Sequence, residues 1–363
     1  MKNFLVRIYW LFGLANHPNC SNSKSVTHLL KFLLLATFID NVIMNLIAFN
    51  DPTFSTKLAM QYIVFLSASV MVLFAMAPKK QALMDLLKII QLQSYKNSKS
   101  KLNAVLCCVL VLPFIYAFSI LATHLLLEQK YLFEFYCYGF QIKNEVAVYS
   151  IAFIKLFTFY LLYPTLTNLI AVAYSASCCL CTRFLQQLFS ELENTSPKAL
   201  TLKVEMELLK KRHRIIDMLE MIEATLSTAS FLTCAANFVA CLTNMSQLLM
   251  YLSESKAITL IDISFISGSA VVSTVLIFLN AGEIPIEMEK FSRLMQRRLE
   301  QRSLLEVNSK GIRSDCSRKD EQVFVLSGSD FISYRKSTIL TWLGTILTYG
   351  LLILSIELKT DLS

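Results

Sequence analysis

Residues 102–127 read LNAVLCCVLVLPFIYAFSILATHLLL, with Lys101 before them, Glu128 after them and no formally charged side chain between. A helix rises about 1.5 Å per residue, so this stretch covers the ~30 Å hydrocarbon layer of a bilayer. Six further apolar blocks share the chain with it, at roughly 26–49, 58–77, 146–171, 224–252, 257–281 and 338–358, and short basic segments separate them. Of all residues 55% are hydrophobic, 25 are Phe and only 17% are charged, with a mean hydropathy of +0.53. A soluble domain of 363 residues could not bury that many apolar faces. The pattern predicts an all-α membrane protein with seven transmembrane helices. Pro52, Pro78 and Pro285 stand just beyond spans as breakers, while Pro113 and Pro164 lie inside spans three and four and predict kinks.

The formal charge of +8 would raise nucleic acid as a partner in a soluble protein, but here it follows the connections between spans. Lys and Arg crowd the N-terminal segment and segments 79–101, 181–223 and 282–325, and Arg335 and Lys336 precede the last span. The opposite side carries only Lys57, Lys130, Lys143, Lys256 and Lys359, and Lys31 and Lys155 fall within spans. By the positive-inside rule the N-terminus is cytosolic and the C-terminus extracellular. Arg7 interrupts the apolar run of Met1 to Ala15, and His17-Pro18-Asn19 follows it where a cleavage site would need small residues, so signal-peptide removal is not expected. Of the ten Cys only Cys137 is placed outside, which leaves no disulfide within the outer loops of one chain.

The chain divides on this reading into a cytosolic N-terminal segment (1–25), spans one to four (26–181), a cytosolic amphipathic extension (182–223) and spans five and six (224–281). A cytosolic anchor or oligomerisation region (282–337) and the last span with a short outer tail (338–363) complete it. In the two long cytosolic segments Val204, Leu208, Ile215, Met218 and Ile222 recur at helical spacing, as do Ile284, Met288, Phe291, Met295 and Leu299. Such faces bury against each other in one chain, against neighbouring subunits, or on lipid.

Charges at membrane depth cost on the order of 2.5–3.5 kcal/mol on insertion scales. Asp40 and Lys155 can offset that cost by pairing, Asp262 lies near the outer start of span six where water reaches it, and Lys31 can snorkel to the cytosolic face. In the last span Thr341, Thr345, Thr348, Leu352, Ser355 and Lys359 follow helical steps, so one face carries hydroxyls with a single Leu, and Glu357 stands near the outer mouth. Such a face can line a narrow path with an apolar constriction at Leu352. Equally, the hydroxyls can bond back to their own helix while the face packs on a neighbour. His124, Tyr149, Phe153, Asn244, Gln247, Tyr251 and Phe265 fall at comparable depth in the outer halves of spans three to six and suit a small organic ligand. Taken singly, each is equally at home as packing or as an interfacial belt.

Cys178, Cys179 and Cys181 at the cytosolic end of span four offer palmitoylation or plain packing. The eight Gly form no phosphate-cradling run and His17, His28, His124 and His213 no metal spacing, so neither an enzyme, a cofactor nor a metal is expected.

The chain ends with Gly344, Thr348-Tyr349, an apolar Gly350 to Leu354 and a tail closing at Ser363. This resembles the C-terminus of insect gustatory receptors, whose mark is a Thr-Tyr pair, five mostly apolar residues, Gln-Phe and a very short tail. Ser355-Ile356 stands where Gln-Phe is expected. Residues 7–18, RIYWLFGLANHP, resemble the basic, aromatic opening of insect chemoreceptors. The resemblance implies a plasma-membrane, tetrameric, ligand-gated cation channel, homomeric or built with related subunits, whose last span lines a central pore. A small-molecule tastant would enter a pocket among spans two to six from outside, and the cytosolic extensions would join the subunits.

A G-protein-coupled receptor, the second reading, would place its N-terminus outside and join the outer start of span three to an outer loop by a Cys pair. Cys107 and Cys108 instead fall at the cytosolic start of that span. A transporter would show broken helices in paired halves, and only span four approaches that. The orientation predicts that the sequons at Asn19, Asn194 and Asn244 stay unmodified. Mass spectrometry of protein from insect cells checks this, and a glycan on Asn19 would reverse the threading.

Overall fold

A computed structural model describes residues 4–15, 24–48, 56–93, 96–126, 136–140, 142–250, 260–310 and 324–360, and the described part of every apolar block is helical. The helices are α1 (Phe4–Leu11), α2 (Lys24–Ala48), α3 (Thr56–Met76), α4 (Lys80–Gln93), α5 (Lys96–Leu126), α6 (Glu145–Tyr160), α7 (Leu166–Asn194), α8 (Leu202–Met250), α9 (Gly268–Lys310) and α10 (Lys336–Thr360). A π-helical turn, Leu161–Thr165, joins α6 to α7, and another, Ile263–Ser267, leads into α9. Before α10 a short antiparallel pair forms from β1 (Ser327–Gly328) and β2 (Ile332–Ser333).

Among the described residues four helical stretches are long and apolar enough to cross a membrane: Ser100–Leu126, Glu145–Asn194, Leu202–Met245 and Leu260–Leu305. Tyr62–Met76 and Lys80–Gln93, bent by 85°, make a fifth if taken as one broken span. α2 and α10 have 25 residues each and α3 has 21, lengths that reach across ~30 Å of hydrocarbon. Leu29, Phe32, Met71, Phe74, Phe118 and Ile154 stand exposed along these helices, as side chains meeting lipid do. This is an all-α, multi-pass membrane protein.

The three longest stretches have 50, 44 and 46 residues. At ~1.5 Å per residue they run to about 65–75 Å and must project well beyond the bilayer. The two amphipathic segments lie within these helices, and their periodic residues bury inside one chain: Leu208, Ile215 and Ile222 of α8 share a core with Ile284, Met288, Phe291 and Met295 of α9. Each such side chain contributes roughly 1.5–3 kcal/mol by burial. α4 adds Leu83, Leu87 and Ile90 to that core, an amphipathic face in what sequence alone marked only as a basic connection. Also within it are Cys178 and Cys181, both fully buried, and the partly buried Cys179 meets Asn280 Oδ1 at 3.0 Å, so this cysteine group is packing.

α1 explains the aromatic opening. Its Leu5, Val6, Ile8 and Tyr9 are buried, and the Tyr9 hydroxyl donates to the Leu169 carbonyl at 2.6 Å. Gly13, at φ +68°, ends the helix in the left-handed region, and a Cβ there would meet Lys31 Cε at 2.7 Å.

One proline departs from expectation. Pro285 is no breaker, because α9 runs through it; burial of Ile284 and Met288 on either side outweighs the one backbone bond it removes. Pro113 leaves α5 continuous. Pro164 does interrupt the helix, with Tyr163 extended (φ −146°, ψ 129°) and a cis peptide between them.

Asp40 of α2 and Lys155 of α6 pair at 3.0 Å, with side chains 23% and 13% exposed. The Lys155 ammonium lies 3.7 Å from the centre of the Tyr138 ring, and the Tyr138 hydroxyl donates to Asp40. Burial, followed by the hydrogen bond and charge of Asp40, pushes that hydroxyl up to about 12, so it stays protonated. Removing one member strands the other charge. Asp40→Leu should cost about 3–5 kcal/mol in thermal unfolding of detergent-purified protein, and adding Lys155→Met should restore most of it; a double variant no better than the single would show that the pair is not coupled.

Candidate conduction face and ligand chamber

α10 is held at its root and bare along one side. The root is the β1–β2 hairpin, a feature that sequence reading missed. Glu223 accepts from the Ser327 backbone N–H at 3.0 Å and from its hydroxyl, and Ser227 donates to the Ser327 carbonyl at 3.0 Å. Tyr334 is fully buried, with its hydroxyl 2.9 Å from Ser230 and its ring edge-on to Tyr174 and Phe278. Lys336 pairs with Glu283. Gly282 lets α9 approach closely, since a Cβ there would meet the Lys336 backbone nitrogen at 2.8 Å.

Above the root α10 packs on α8 through Trp342, Ile346 and Gly350, against Phe238, Cys241 and Met245. The opposite side is open: Thr341, Gly344 and Thr348 are exposed, as are Leu347, Tyr349 and Leu352, at 58%, 51% and 52%. Thr345 is half-buried at its edge. A Cβ on Gly344 would meet nothing within 4 Å. The Thr345 hydroxyl donates to the Thr341 carbonyl at 2.7 Å and that of Thr348 to the Gly344 carbonyl at 2.8 Å. This is the back-bonding alternative, realised without covering the face. Each hydroxyl spends its proton on the helix and keeps oxygen lone pairs outward, which suits cations. The side chains of Ser355 and Glu357 lie outside the described residues.

Of the expected ligand residues, Phe153 and Phe265 pack against one cluster of buried rings. Asn244 is buried and donates to the Ser267 hydroxyl at 2.8 Å. Phe153 is half-buried and also meets the rings of Phe118 and Phe157. His124 is buried and Tyr149 half-buried. The side chain of Gln247 and the whole of Tyr251 fall outside the described residues.

Phe265 belongs to a packed cluster of rings that sequence reading did not assemble. Tyr116 of α5 lies 4.7 Å from Tyr160 and 5.8 Å from Phe265, centre to centre, and Tyr160 lies 6.4 Å from Phe265. Tyr62, Tyr136 and Tyr163 pack into the same cluster. The Tyr116 hydroxyl donates to Asp262 Oδ1 at 2.8 Å, so Asp262 is held by a phenol and is not simply wet. Both π-helical turns border this cluster, one carrying Phe265 and the other following Tyr160. Such turns widen a helix and displace its side chains. The available signal was Tyr116, Tyr160 and Tyr163 far from span ends, since a phenol in hydrocarbon must find a partner.

No protein-family model matches the sequence, and no curated protein sequence matches it. Solved structures do. The insect olfactory receptor OR5 from Machilis hrabei in complex with eugenol superposes with a TM-score of 0.60 at 12% identity, over 98% of this chain and 98% of that one. The same receptor alone gives 0.60 at 14% identity, over 98% and 100%. The fold of this chain is similar to that of this receptor over nearly its whole length.

Gly282→Ala should lower the unfolding temperature, by the equivalent of about 1–3 kcal/mol of overpacking. Gly344→Ala should leave it unchanged or raise it slightly, as Ala favours helix by ~1 kcal/mol. Equal losses at both positions in detergent unfolding would contradict the bare-face assignment.

Proposed function

We propose that this chain is a gustatory-type chemosensory receptor subunit that forms, as a homotetramer or with related subunits, a ligand-gated non-selective cation channel opened by a small extracellular tastant. The observation that carries the proposal is the uncovered hydroxyl face of α10, on a helix whose root is fixed to α7, α8 and α9. Four such faces around an axis bury one another's open side and leave a path lined by Thr341, Thr345, Thr348 and Ser355. Leu352 forms the apolar constriction and Glu357 favours cations at the mouth.

In this arrangement the chain crosses the plasma membrane of a sensory cell seven times, with its N-terminus cytosolic. Segments 182–223 and 282–337 project into the cytosol and carry the contacts between subunits. The Gly344, Thr348-Tyr349 motif supports the gustatory assignment over an olfactory one, and the Thr-Tyr pair lies on the bare side where subunits would meet. Ligand reaches α10 through α8, which packs against it and supplies Val239, Ala236 and Ala240 to the aromatic cluster.

Whole-cell recording from cells expressing the chain, alone and with related subunits, should give cation currents to members of a tastant panel. Leu352→Ala should raise the resting leak severalfold without ligand. Surface protein that conducts in neither form, with the variant as silent as the parent, would sink the channel reading, and an N-terminal tag reached in unpermeabilised cells would favour a G-protein-coupled receptor.

A further inference from the structure

Two lysines at the basic end of the bundle make a contact that packing does not explain. Lys31 of α2 and Lys80, the first residue of α4, come within hydrogen-bonding reach of each other. An ammonium group has donors and no acceptor, so neither can bond the other, and two like charges this close repel. Among the described residues no Asp or Glu pairs with either of them, whereas Lys88, Lys155, Lys211, Lys290 and Lys336 each have a carboxylate partner. A negatively charged group between the two ammonium groups satisfies both at once.

The surrounding chain holds the pair in place. α1 packs against both α2 and α4, and the turn that closes it confines the Lys31 stem, since a Cβ on Gly13 would meet Lys31 Cε, Cγ and Cδ at 2.7, 3.4 and 3.5 Å. The positive end of a 14-residue helix lies at Lys80 itself, and Lys79 adds a third positive side chain beside it. Ala77 and Pro78 are exposed, and Lys31, Lys79 and Lys80 are partly so, so the group is open to its surroundings. Large apolar side chains adjoin it: Leu29 and Phe32 stand exposed on α2 to either side of Lys31, and Met71 and Phe74 on the last turns of α3, which packs on α2. Positive charge at the edge of an exposed apolar face matches a phosphate carried on acyl chains. A free anion would leave that face unused, and a choline headgroup brings its own cation.

Resting on the threading in the receptor reading, we propose that Lys31 and Lys80 form a binding site for the phosphate of an anionic phospholipid of the inner leaflet, where α1, α2 and α4 meet. The phosphate bridges the two ammonium groups, and the acyl chains lie along the exposed faces of α2 and α3. A bound lipid thereby ties the first span and the N-terminal helix to the start of α4, which belongs to the lower core.

The test is lipid binding to the full chain purified in detergent, read by native mass spectrometry, with phosphatidylglycerol and phosphatidylcholine of the same acyl chains. The anionic lipid should bind at least about tenfold more tightly. Lys31→Gln combined with Lys80→Gln should abolish that preference. Lys198→Gln combined with Lys203→Gln, which removes the same charge from exposed positions at the α7–α8 connection, should keep it. If the first double variant fails to fold, Lys80→Gln alone, at a partly exposed position, should still weaken the preference severalfold. Equal binding of the two lipids, a preference untouched by the Lys31 and Lys80 changes, or one lost equally with Lys198 and Lys203 overturns the proposal. Inorganic phosphate that displaces the anionic lipid at equal concentration would assign the site to a free anion and overturn the lipid assignment. An N-terminal tag reached from outside would overturn the receptor threading and with it the inner-leaflet placement, whereas a cytosolic N-terminus without lipid preference overturns this inference alone.

Discussion

A bilayer offers no hydrogen-bond partners, so every polar group drawn into it must bring its own. That constraint orders the interior of this protein. Asn237 accepts from the Tyr163 hydroxyl and donates to Ser273 and Thr274 at 2.7 and 3.0 Å. Asn168 donates to Ser269 at 2.6 Å and Asn244 to Ser267 at 2.8 Å. These bonds stitch α8 and α7 to α9 and its leading turn along one seam. Interhelical bonds of this kind are worth about 0.6–2 kcal/mol each, and they also fix register, which apolar side chains facing apolar lipid specify poorly. Where no neighbouring helix is present, the same demand is met locally, and the Thr345 and Thr348 hydroxyls turn back on their own carbonyls.

The same rule separates the parts that hold from the parts that stay available. Below the apolar spans α4, α7, α8 and α9 close a dense core in which α1 is a plug. The hairpin ties the start of α10 to that core through Glu223, Ser227 and Tyr334. The rest of α10 leans on α8 and the start of α9 through a small apolar cluster. A helix clamped at one end and half-covered along its length can tilt or rotate at low cost. α8 is the natural lever, because one unbroken helix of 49 residues touches the lower core, the aromatic cluster and α10.

Much of this was legible in the residues. Apolar blocks announced the helices, and the periodicity of Leu208, Ile215 and Ile222 and of Ile284, Met288 and Phe291 announced faces that do bury. Asp40 and Lys155 announced each other, since two opposite charges at membrane depth have few other resolutions. The stripe of Thr341, Thr345 and Thr348 was visible as spacing. Less was legible of the ring cluster. Phe265 was singled out, but Tyr116, Tyr136 and Tyr160 were not, because their meeting depends on how α5, α6 and the turn before α9 pack, and no local pattern encodes that.

The sequence by itself determined that the chain is a membrane helical bundle, which blocks are helices, and which of their faces bury, because these follow from hydrophobicity and helical period within one element. Tertiary structure alone decided that α9 runs through Pro285, that a hairpin at Ser327–Ser333 anchors α10, and that Asp262 sits among tyrosines with Tyr116 as its donor. Those outcomes depend on contacts between residues about a hundred positions or more apart, as in Glu223 with Ser327 or Tyr116 with Asp262. Their energies exceed the local preferences of proline, serine and aspartate that a reading along the chain can weigh.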